Sequence, residues 1–324
     1  MVKIEKIKIK NFKKIKNLEF EPAKVNIILG PNNTGKTSVL EAIYLALVAL
    51  DSQDILYKYK ISYRLAAWKF LKLRTGDKTI VEFDLFNFNR KQPFNIEAII
   101  DGIQVYVRYE DFEKIVGECY NHKGEKVKTL EISTRPTLNF SSAKAVKDIN
   151  YIFIEHHLKY ELIKIWEEID KRLSKSEKDE LLKDLKEKFD ISQLTIHSVK
   201  FDSPDKKEYY IHYIEDDKPP LPFFMLGSGV QYLIILTVLT HVCDVILFDD
   251  LEAALHPDII DLFVKIIKDS KSQFFFTTQN KELIEKIIEE IDDMKIIYLY
   301  RDGSYSIFDK ENAKKLLKLR GDVR

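Results

Sequence analysis

The stretch that decides the fold of this chain is GPNNTGKTS: Gly30-Pro31-Asn32-Asn33-Thr34-Gly35-Lys36-Thr37-Ser38. It satisfies the pattern G-x-x-x-x-G-K-[ST], in which backbone amides surround a phosphate, the lysine reaches the β- and γ-phosphates, and the hydroxyl binds Mg²⁺. An apolar run at residues 24–29 predicts a buried parallel strand before it, and residues 37–50 predict a helix after it. This context predicts that residues 30–38 bind a nucleoside triphosphate with Mg²⁺.

A second apolar strand, predicted at Val245–Phe248, ends in the two carboxylates Asp249 and Asp250. A Walker B strand is built in this way, because its first acid holds Mg²⁺ through water and its second polarises the attacking water. Asp249 is therefore a candidate metal ligand together with Thr37, and Asp250 is a candidate catalytic residue together with Lys36. Strands that end in acids are common, so this segment alone leaves an ordinary strand end equally open.

The segment before that strand, Leu226–Gln231 (LGSGVQ), resembles the signature motif of ATP-binding-cassette (ABC) ATPases, which usually reads LSGGQ. Ser228, Gly229 and Gln231 match the motif, and Val230 replaces its second glycine. In that family the motif begins a helix and faces the γ-phosphate that another subunit holds, and a helix N-terminus suits an anion. The resemblance implies that Ser228, Gly229 and Gln231 contact ATP across a homodimer. Without this context the string would be an ordinary helix start.

Two further segments are similar to the RecF, SMC and overcoming-lysogenization-defect members of this class. Residues 251–257 (LEAALHP) resemble the segment that follows Walker B in those proteins, and residues 4–15 resemble the N-terminal β-hairpin of RecF/SMC-type ATPases. The hairpin turn makes Lys13 a candidate for contacting the nucleotide, with an exposed strand lysine as the alternative. The resemblance covers residues 1–50 and 222–290, and it implies ATP and Mg²⁺ as cofactors.

The resemblance also implies a fold class: an α/β P-loop NTPase, built as an ABC-type ATPase head with a mixed central sheet, an antiparallel β lobe and a helical insertion. We expect one such domain over residues 1–324, without a long coiled-coil arm or a nuclease segment. Its expected parts are a nucleotide-binding core (1–50 and 222–308), a β lobe (79–134) and a helical subdomain (156–190). Within the lobe, strand-like runs occur at residues 79–88, 95–102, 103–110 and 126–133.

Two residues depart from the usual pattern of these families. The second Walker B acid is usually Glu, and Asp250 is one methylene shorter, which displaces the group that would activate water. Gln279 follows the apolar strand predicted at residues 274–278, where a switch histidine is usual. Its amide donates a hydrogen bond but carries no charge at neutral pH, and we treat it as a candidate catalytic residue. Both departures predict slow hydrolysis. The glutamine loop of the family has no clear counterpart, although residues 155–157 occupy its expected place.

Composition bounds the classes of function. Lys and Arg together number 52, as do Asp and Glu, so the chain has no net charge and no overall attraction to nucleic acid or anionic membranes. Cys119 and Cys243 lack metal-ligand spacing and are expected to be buried thiols. The longest apolar run, residues 232–248, contains His241 and Asp244 and is too short to cross a bilayer. With no signal peptide, we expect a cytoplasmic protein without membrane insertion.

These features predict a slow ATPase that dimerises head-to-tail around ATP and acts as a switch in DNA repair, genome maintenance or defence against mobile elements. The switch would act on DNA, on a partner nuclease or on another effector. Residues 55–74 are predicted to form a helix with basic and aromatic side chains. This helix is a candidate DNA-binding surface, with a solvated face over a core stripe as the alternative. Two other functions stay open: a non-hydrolysing ATP-dependent interaction module and a transporter ATPase subunit.

Overall fold

The computed structural model describes residues 2–50, 93–111, 114–133, 149–154, 173–189, 191–200, 207–215, 221–251 and 257–320. The chain divides into two compact units. Unit one comprises Met1–Glu155, Asp244–Asp250 and Ser272–Arg324, and unit two comprises His156–Cys243 and Leu251–Lys271. Four sequence predictions lie wholly or mostly outside the described residues: the helix at 55–74, the strand-like run at 79–88, the glutamine-loop position at 155–157 and the segment 251–257.

The central sheet of unit one leads into the phosphate-binding loop. Its strands are β3 (Val25–Leu29), β8 (Tyr151–Ile154), β12 (Val245–Phe248), β13 (Gln273–Thr277), β14 (Met294–Leu299) and β15 (Tyr305–Asp309). They lie in the order β15-β14-β3-β13-β12-β8, and only the pair β14–β15 is antiparallel. Strands β3, β8, β12 and β13 are buried at every position, as expected for strands covered on both faces. This mixed sheet confirms the predicted fold class.

The second sheet of unit one is antiparallel and joins the N-terminal hairpin to the β lobe. Its strands are β1 (Ile4–Phe12), β2 (Ile15–Phe20), β4 (Asn95–Ile100), β5 (Ile103–Asp111), β6 (Lys114–Tyr120) and β7 (Lys126–Ser133), in the order β2-β1-β4-β5-β6-β7. The sequence does not predict β6, because Gly117 interrupts its apolar pattern. A Cβ atom on Gly117 would lie 2.7 Å from the Cβ of Ala49, so the glycine allows a helix to approach this strand closely.

That helix is α1 (Lys36–Leu50), and only one of its residues, Thr37, is not buried. A helix that is apolar on every side must be covered on every side, and α1 shares one hydrophobic core with both sheets of unit one. Its last carbonyl groups accept hydrogen bonds from the β lobe: Cys119 Sγ lies 3.4 Å from Ala49 O, and Lys128 Nζ lies 3.1 Å from Leu50 O. Burial raises the pKa of the Cys119 thiol to about 11, so the thiol stays protonated as a donor.

A buried amide ties the two sheets of unit one together. Gln273, at the start of β13, accepts a hydrogen bond from Ile4 N (2.9 Å) and donates to Ile4 O (3.1 Å) and to Ala23 O (3.0 Å). A buried amide with all of these partners orients both neighbouring segments, because each lost bond would leave a polar group unsatisfied. The start of β1 is thereby held against the central sheet.

Unit two contains three described helices and a small sheet. The helices are α2 (Lys175–Phe189), α3 (Ser228–Val242) and α4 (Pro257–Asp269), and the sheet consists of β9 (Ile191–Lys200), β10 (Lys207–Glu215) and β11 (Leu221–Pro222). Helix α2 begins after Ser174, where Ser174 and Glu177 form a capping box. Asp184 of α2 lies 3.2 Å from the imidazole of His241 on α3 and forms an ion pair with Lys188.

Two more helices belong to unit one, α5 (Lys281–Glu290) and α6 (Lys310–Arg320). The side chain of Asn280 caps α5 by accepting a hydrogen bond from Leu283 N at 3.1 Å. Among the residues that the structure describes, no helix combines the length and the apolar character that crossing a membrane would require.

Candidate nucleotide-binding and hydrolysis site

The phosphate-binding loop joins β3 to α1 and has a backbone that only particular residues allow. Gly30 has a φ of +142° and Gly35 a φ of +101°, and Asn33 lies in the left-handed region at 66°. A Cβ atom on Gly30 would lie 2.4 Å from Leu299 O and 2.9 Å from Thr34 Oγ1. The loop therefore needs glycine at its first position both for its dihedral angle and for the space beside β14.

Lys36, the first residue of α1, turns its ammonium group into the loop. Its Nζ atom donates hydrogen bonds to Gly30 O at 3.0 Å and to Pro31 O at 3.2 Å, and the residue is buried. Thr34 Oγ1 donates to the same Pro31 carbonyl at 2.9 Å. Among the described residues, the acceptors of this buried ammonium are neutral carbonyl oxygens, so an anion that reaches Lys36 gains a charge–charge attraction that the carbonyls do not supply.

Thr37 and Asp249, the two residues predicted to bind metal, lie in direct contact. Thr37 Oγ1 donates to the Asp249 carboxylate, whose oxygens lie 3.0 Å and 2.9 Å away. Asp249 is 3% exposed, and its backbone amide donates to Ile154 O at the end of β8 at 3.0 Å. A hydroxyl and a carboxylate side by side at the end of the sheet are the hard oxygen donors that Mg²⁺ prefers. With the glycine-lined loop adjacent, these residues fit a magnesium nucleotide.

Thr277 is a site residue that the sequence analysis does not single out. Its hydroxyl donates to Asp249 Oδ1 at 2.9 Å and accepts a hydrogen bond from the backbone amide of Asp250 at 2.8 Å. Asp250 itself is exposed and has a φ of +55°, in the left-handed region. The sequence signal for Thr277 is its place at the carboxyl end of the strand beside β12, where Phe276 pairs with Phe248. That signal becomes visible only when the pairing of the two strands is known.

Gln279 reaches the phosphate-binding loop. Its Nε2 atom donates to the side-chain oxygen of Asn32 at 3.0 Å, and both side chains are exposed. The side chain of the next residue, Asn280, caps α5. Gln279 therefore lies between the end of β13 and a capped helix start, and both fix the chain direction at this position. The structure thus brings a residue predicted for catalysis into contact with one predicted to bind phosphate.

The turn of the N-terminal hairpin rests on the loop and on α1. Lys13 has a φ of +50°, and its Nζ atom lies 2.5 Å from Glu41 Oε2. Glu41 is 4% exposed, and its second oxygen, Oε1, has no hydrogen-bond partner among the described residues. Lys14 Nζ donates to Asn33 O of the loop at 2.9 Å. Lys13 is therefore held beside the start of α1 by a buried carboxylate that is only partly satisfied.

The predicted signature residues lie in unit two, at the start of α3. Gly227 is the N-cap, and both Gly227 and Ser228 are exposed. The side chain of Gln231 turns back and donates to Leu226 O at 2.7 Å, and its backbone amide donates to Gly227 O at 3.1 Å. Ser228 and Gly229 thus stand at an accessible helix N-terminus, while Gln231 shapes the segment that leads into it.

Comparison with known proteins agrees with this architecture. A sequence model of the family described as "AAA domain, putative AbiEii toxin, Type IV TA system" matches residues 25–285. An "ATP/GTP phosphatase" of Helicobacter pylori is 24% identical, and the alignment covers 94% of each chain. The protein named "DNA replication and repair protein RecF" of Nitrosococcus oceani is 52% identical over 46 residues, which are 14% of this chain and 13% of that protein.

Solved structures show the same fold. The SMC head domain with an extended coiled coil from Pyrococcus furiosus, bound to the C-terminal domain of ScpA, superposes with a TM-score of 0.51 at 15% identity. The alignment covers 99% of this chain and 100% of that one.

Proposed function

Since the chain belongs to the AAA-domain family whose sequence model it matches, we propose that it hydrolyses ATP slowly with Mg²⁺ and closes as a homodimer around the nucleotide. The observation that carries this proposal is the hydrogen-bonded line from Thr37 through Asp249 and Thr277 to the amide of Asp250, beside a buried Lys36. These groups lie at the carboxyl ends of parallel strands, where α/β proteins bind ligands.

Each of these residues has a separate task in the proposed reaction. Within the loop Gly30–Ser38, the backbone N–H groups of the residues other than Pro31, which has none, and the Lys36 ammonium would hold the phosphates, and Thr37 with Asp249 would hold Mg²⁺. When bound, the metal neutralises phosphate charge and polarises the bond that breaks. Asp250 accepts a proton from the attacking water, which the Gln279 amide helps to orient by donating a hydrogen bond.

We expect slow turnover because of how Asp250 and Gln279 are placed. Asp250 is exposed and carries its carboxylate on a short side chain. The amide of Gln279 is engaged with Asn32 at 3.0 Å, so it must exchange this partner before it contacts a phosphate or a water. A general base and an orienting group that are not already in position forgo much of the rate gain from preorganisation.

Lys13 is proposed as a further nucleotide contact. It stands one residue from Lys14, which already donates to the loop at Asn33 O. The carboxylate of Glu41 holds Lys13 close to the start of α1, so a phosphate that enters the loop competes with Glu41 for the ammonium group. Glu41 therefore keeps Lys13 near its proposed ligand while no nucleotide is bound.

Dimer closure is proposed from the start of α3. An exposed helix N-terminus with glycine and serine at its first positions suits an anion presented from outside the protomer, and Ser228, Gly229 and Gln231 are the residues concerned. Closure around ATP would let the protein act as a switch, and we propose that the switch acts on DNA or on a partner effector. The local likeness to a protein named for DNA replication and repair supports a role in genome maintenance.

The experiment that tests this function is the molecular mass by light scattering after size exclusion, with ADP and with ATP and Mg²⁺. We expect ATP to double the mass, more persistently in Asp250→Ala, where hydrolysis is blocked. Ser228→Arg should prevent doubling, while Ser176→Arg, at the exposed start of α2, serves as the matched control and should not. If the mass is the same with ADP as with ATP and Mg²⁺ in the unsubstituted protein and in all variants, the proposed switch is wrong.

The rival function is a non-hydrolysing, ATP-dependent interaction module. The hydrogen bond from Gln279 to Asn32 favours this function, because the Gln279 amide already has a partner within the protein instead of pointing towards a water or a phosphate. The two functions differ in one result: phosphate release in a single turnover of bound ATP. The ATPase releases phosphate while its dimer separates, whereas the module retains ATP and stays assembled.

A further inference from the structure

We infer that Thr277 is a positioning residue for hydrolysis, whose hydroxyl fixes the backbone of Asp250 and thereby the place of its carboxylate. The inference rests on the proposed ATPase function and extends it to a residue outside the motifs of the loop, the Walker B strand and the signature. Thr277 acts through Asp250 and does not itself contact the reacting atoms.

The first observation is the position of Thr277 between the two acids. It is completely buried at the end of β13, directly beside the end of β12, because Phe248 pairs with Phe276. Its Oγ1 atom lies 2.9 Å from Asp249 Oδ1 and 2.8 Å from the amide nitrogen of Asp250. One hydroxyl therefore joins the candidate metal ligand to the candidate general base.

The directions of these hydrogen bonds follow from the chemistry of the groups. A backbone amide can only donate, and an ionised carboxylate can only accept. The hydroxyl of Thr277 therefore donates its single proton to Asp249 and accepts a hydrogen bond from the amide of Asp250. Both demands are met by a hydroxyl, and neither is met by an aliphatic side chain of the same shape.

The second observation is the conformation of Asp250. Its φ of +55° lies in the left-handed region, which Asp adopts more readily than most residues other than glycine, so a contact at its backbone helps to decide whether this conformation is kept. The side chain is exposed, so its direction depends on the backbone rather than on packing. The hydrogen bond to Thr277 is the contact that holds the amide of Asp250 in this conformation, and so it sets where the carboxylate points.

The test compares Thr277→Val, which keeps the shape and removes the hydroxyl, with Thr277→Ser, which keeps the hydroxyl. We expect Thr277→Val to lower kcat by about 10- to 100-fold, since small displacements of catalytic groups have effects of this size. Affinity for ATP should change by less than about 3-fold, because the loop is untouched. Thr277→Ser should restore most of kcat. Thr237→Val, at an equally buried threonine of α3 whose hydroxyl bonds to Leu233 O, is the matched control and should leave kcat unchanged.

A double substitution separates positioning from general damage. In the Asp250→Asn background, where the general base is already removed, Thr277→Val should cause no further loss of kcat. If Asp250→Asn lowers kcat but Thr277→Val does not, the inference is wrong and the ATPase function stands. If Thr277→Val remains equally harmful without the Asp250 carboxylate, the residue does not act through Asp250, and the inference is again wrong.

A readout independent of hydrolysis is hydrogen exchange at the backbone amide of Asp250. In the unsubstituted protein this amide should exchange at least about 100-fold more slowly than in an unstructured chain, despite the exposed side chain. Protection should persist in Thr277→Ser and fall about 10-fold or more in Thr277→Val. Rapid exchange in the unsubstituted protein would overturn the inference even if no variant hydrolysed ATP. Absence of hydrolysis with intact protection would instead count against the proposed function alone.

Discussion

Replacing Gly30 with alanine should destabilise the protein strongly, because the change meets two independent costs in unit one. The backbone φ of +142° is one that side-chain-bearing residues rarely adopt, and such strain costs about 1–3 kcal/mol. The new Cβ would lie 2.4 Å from the carbonyl oxygen of Leu299, closer than the 3.0 Å within which real Cβ atoms are essentially never found. Relieving such a contact against backbone costs about 1–3 kcal/mol more. The expected loss in the free energy of unfolding is therefore about 2–6 kcal/mol.

Gly102→Ala supplies the matched control. Gly102 also has a positive φ, +74°, in the turn between β4 and β5, but a Cβ atom there would meet nothing within 4 Å. Only the conformational cost applies, which is about 1–2 kcal/mol. The difference between the two variants therefore reports the crowding around Gly30 together with the higher conformational cost of its φ of +142°.

The assay is urea unfolding followed by circular dichroism, together with the affinity for ATP of each folded variant. Gly30→Ala should unfold at a clearly lower urea concentration than Gly102→Ala and should bind ATP weakly, because the loop must shift away from Leu299 O. Gly102→Ala should keep its ATP affinity. If both alanines cost the same stability and both retain ATP affinity, the close packing of the loop against β14 is refuted.

Three further predictions concern ionisable groups. Glu41→Gln and Lys13→Met should each lower the free energy of unfolding. The double variant should lose less than the sum of the two single losses, by about 1 kcal/mol or more. Purely additive losses would argue against the ion pair. Burial alone would raise the pKa of Asp184, but hydrogen bonds from Lys188 and His241 outweigh it and hold that pKa below its ordinary value of 3.8. Its stabilising contribution is therefore fully present above pH 3.8 and is lost as pH falls through the lower pKa of the folded protein, so thermal melting of Asp184→Asn should converge with that of the unsubstituted protein in acid. Because burial raises the pKa of Cys119 to about 11, the native protein should react with iodoacetamide at pH 8.5 at least about 100-fold more slowly than the urea-unfolded chain; equal rates would contradict the buried site.

The sequence predicts the parts of the site that depend on local chain geometry. A glycine-rich loop between a buried strand and an apolar helix leaves few arrangements, and Lys36 and Thr37 begin α1 as expected. The carboxylates after β12 also follow from local pattern, because an apolar strand that ends in acids brings them to the edge of a parallel sheet. The contact between Thr37 and Asp249 is the structural consequence of both features.

The remaining features depend on the pairing of elements that are distant in the sequence. The role of Thr277 requires the register in which Phe276 lies beside Phe248, and a single sequence does not reveal this register. The contact of Gln279 with Asn32 likewise joins residues from opposite ends of the chain. Strand β6 escapes prediction because Gly117 is present for the approach of Ala49, and such a requirement lies outside the strand itself.

The central claim is that Asp249 and Asp250, aligned with Thr37 and Lys36, form a magnesium-dependent ATPase site. Its most direct test is single-turnover release of phosphate from bound ATP, with and without Mg²⁺, in the unsubstituted protein and in Asp250→Asn. We expect slow release that requires Mg²⁺ and falls by about 100-fold or more in Asp250→Asn, with ATP affinity unchanged. Release that is equally fast in Asp250→Asn, or that is indifferent to Mg²⁺, would contradict the claim.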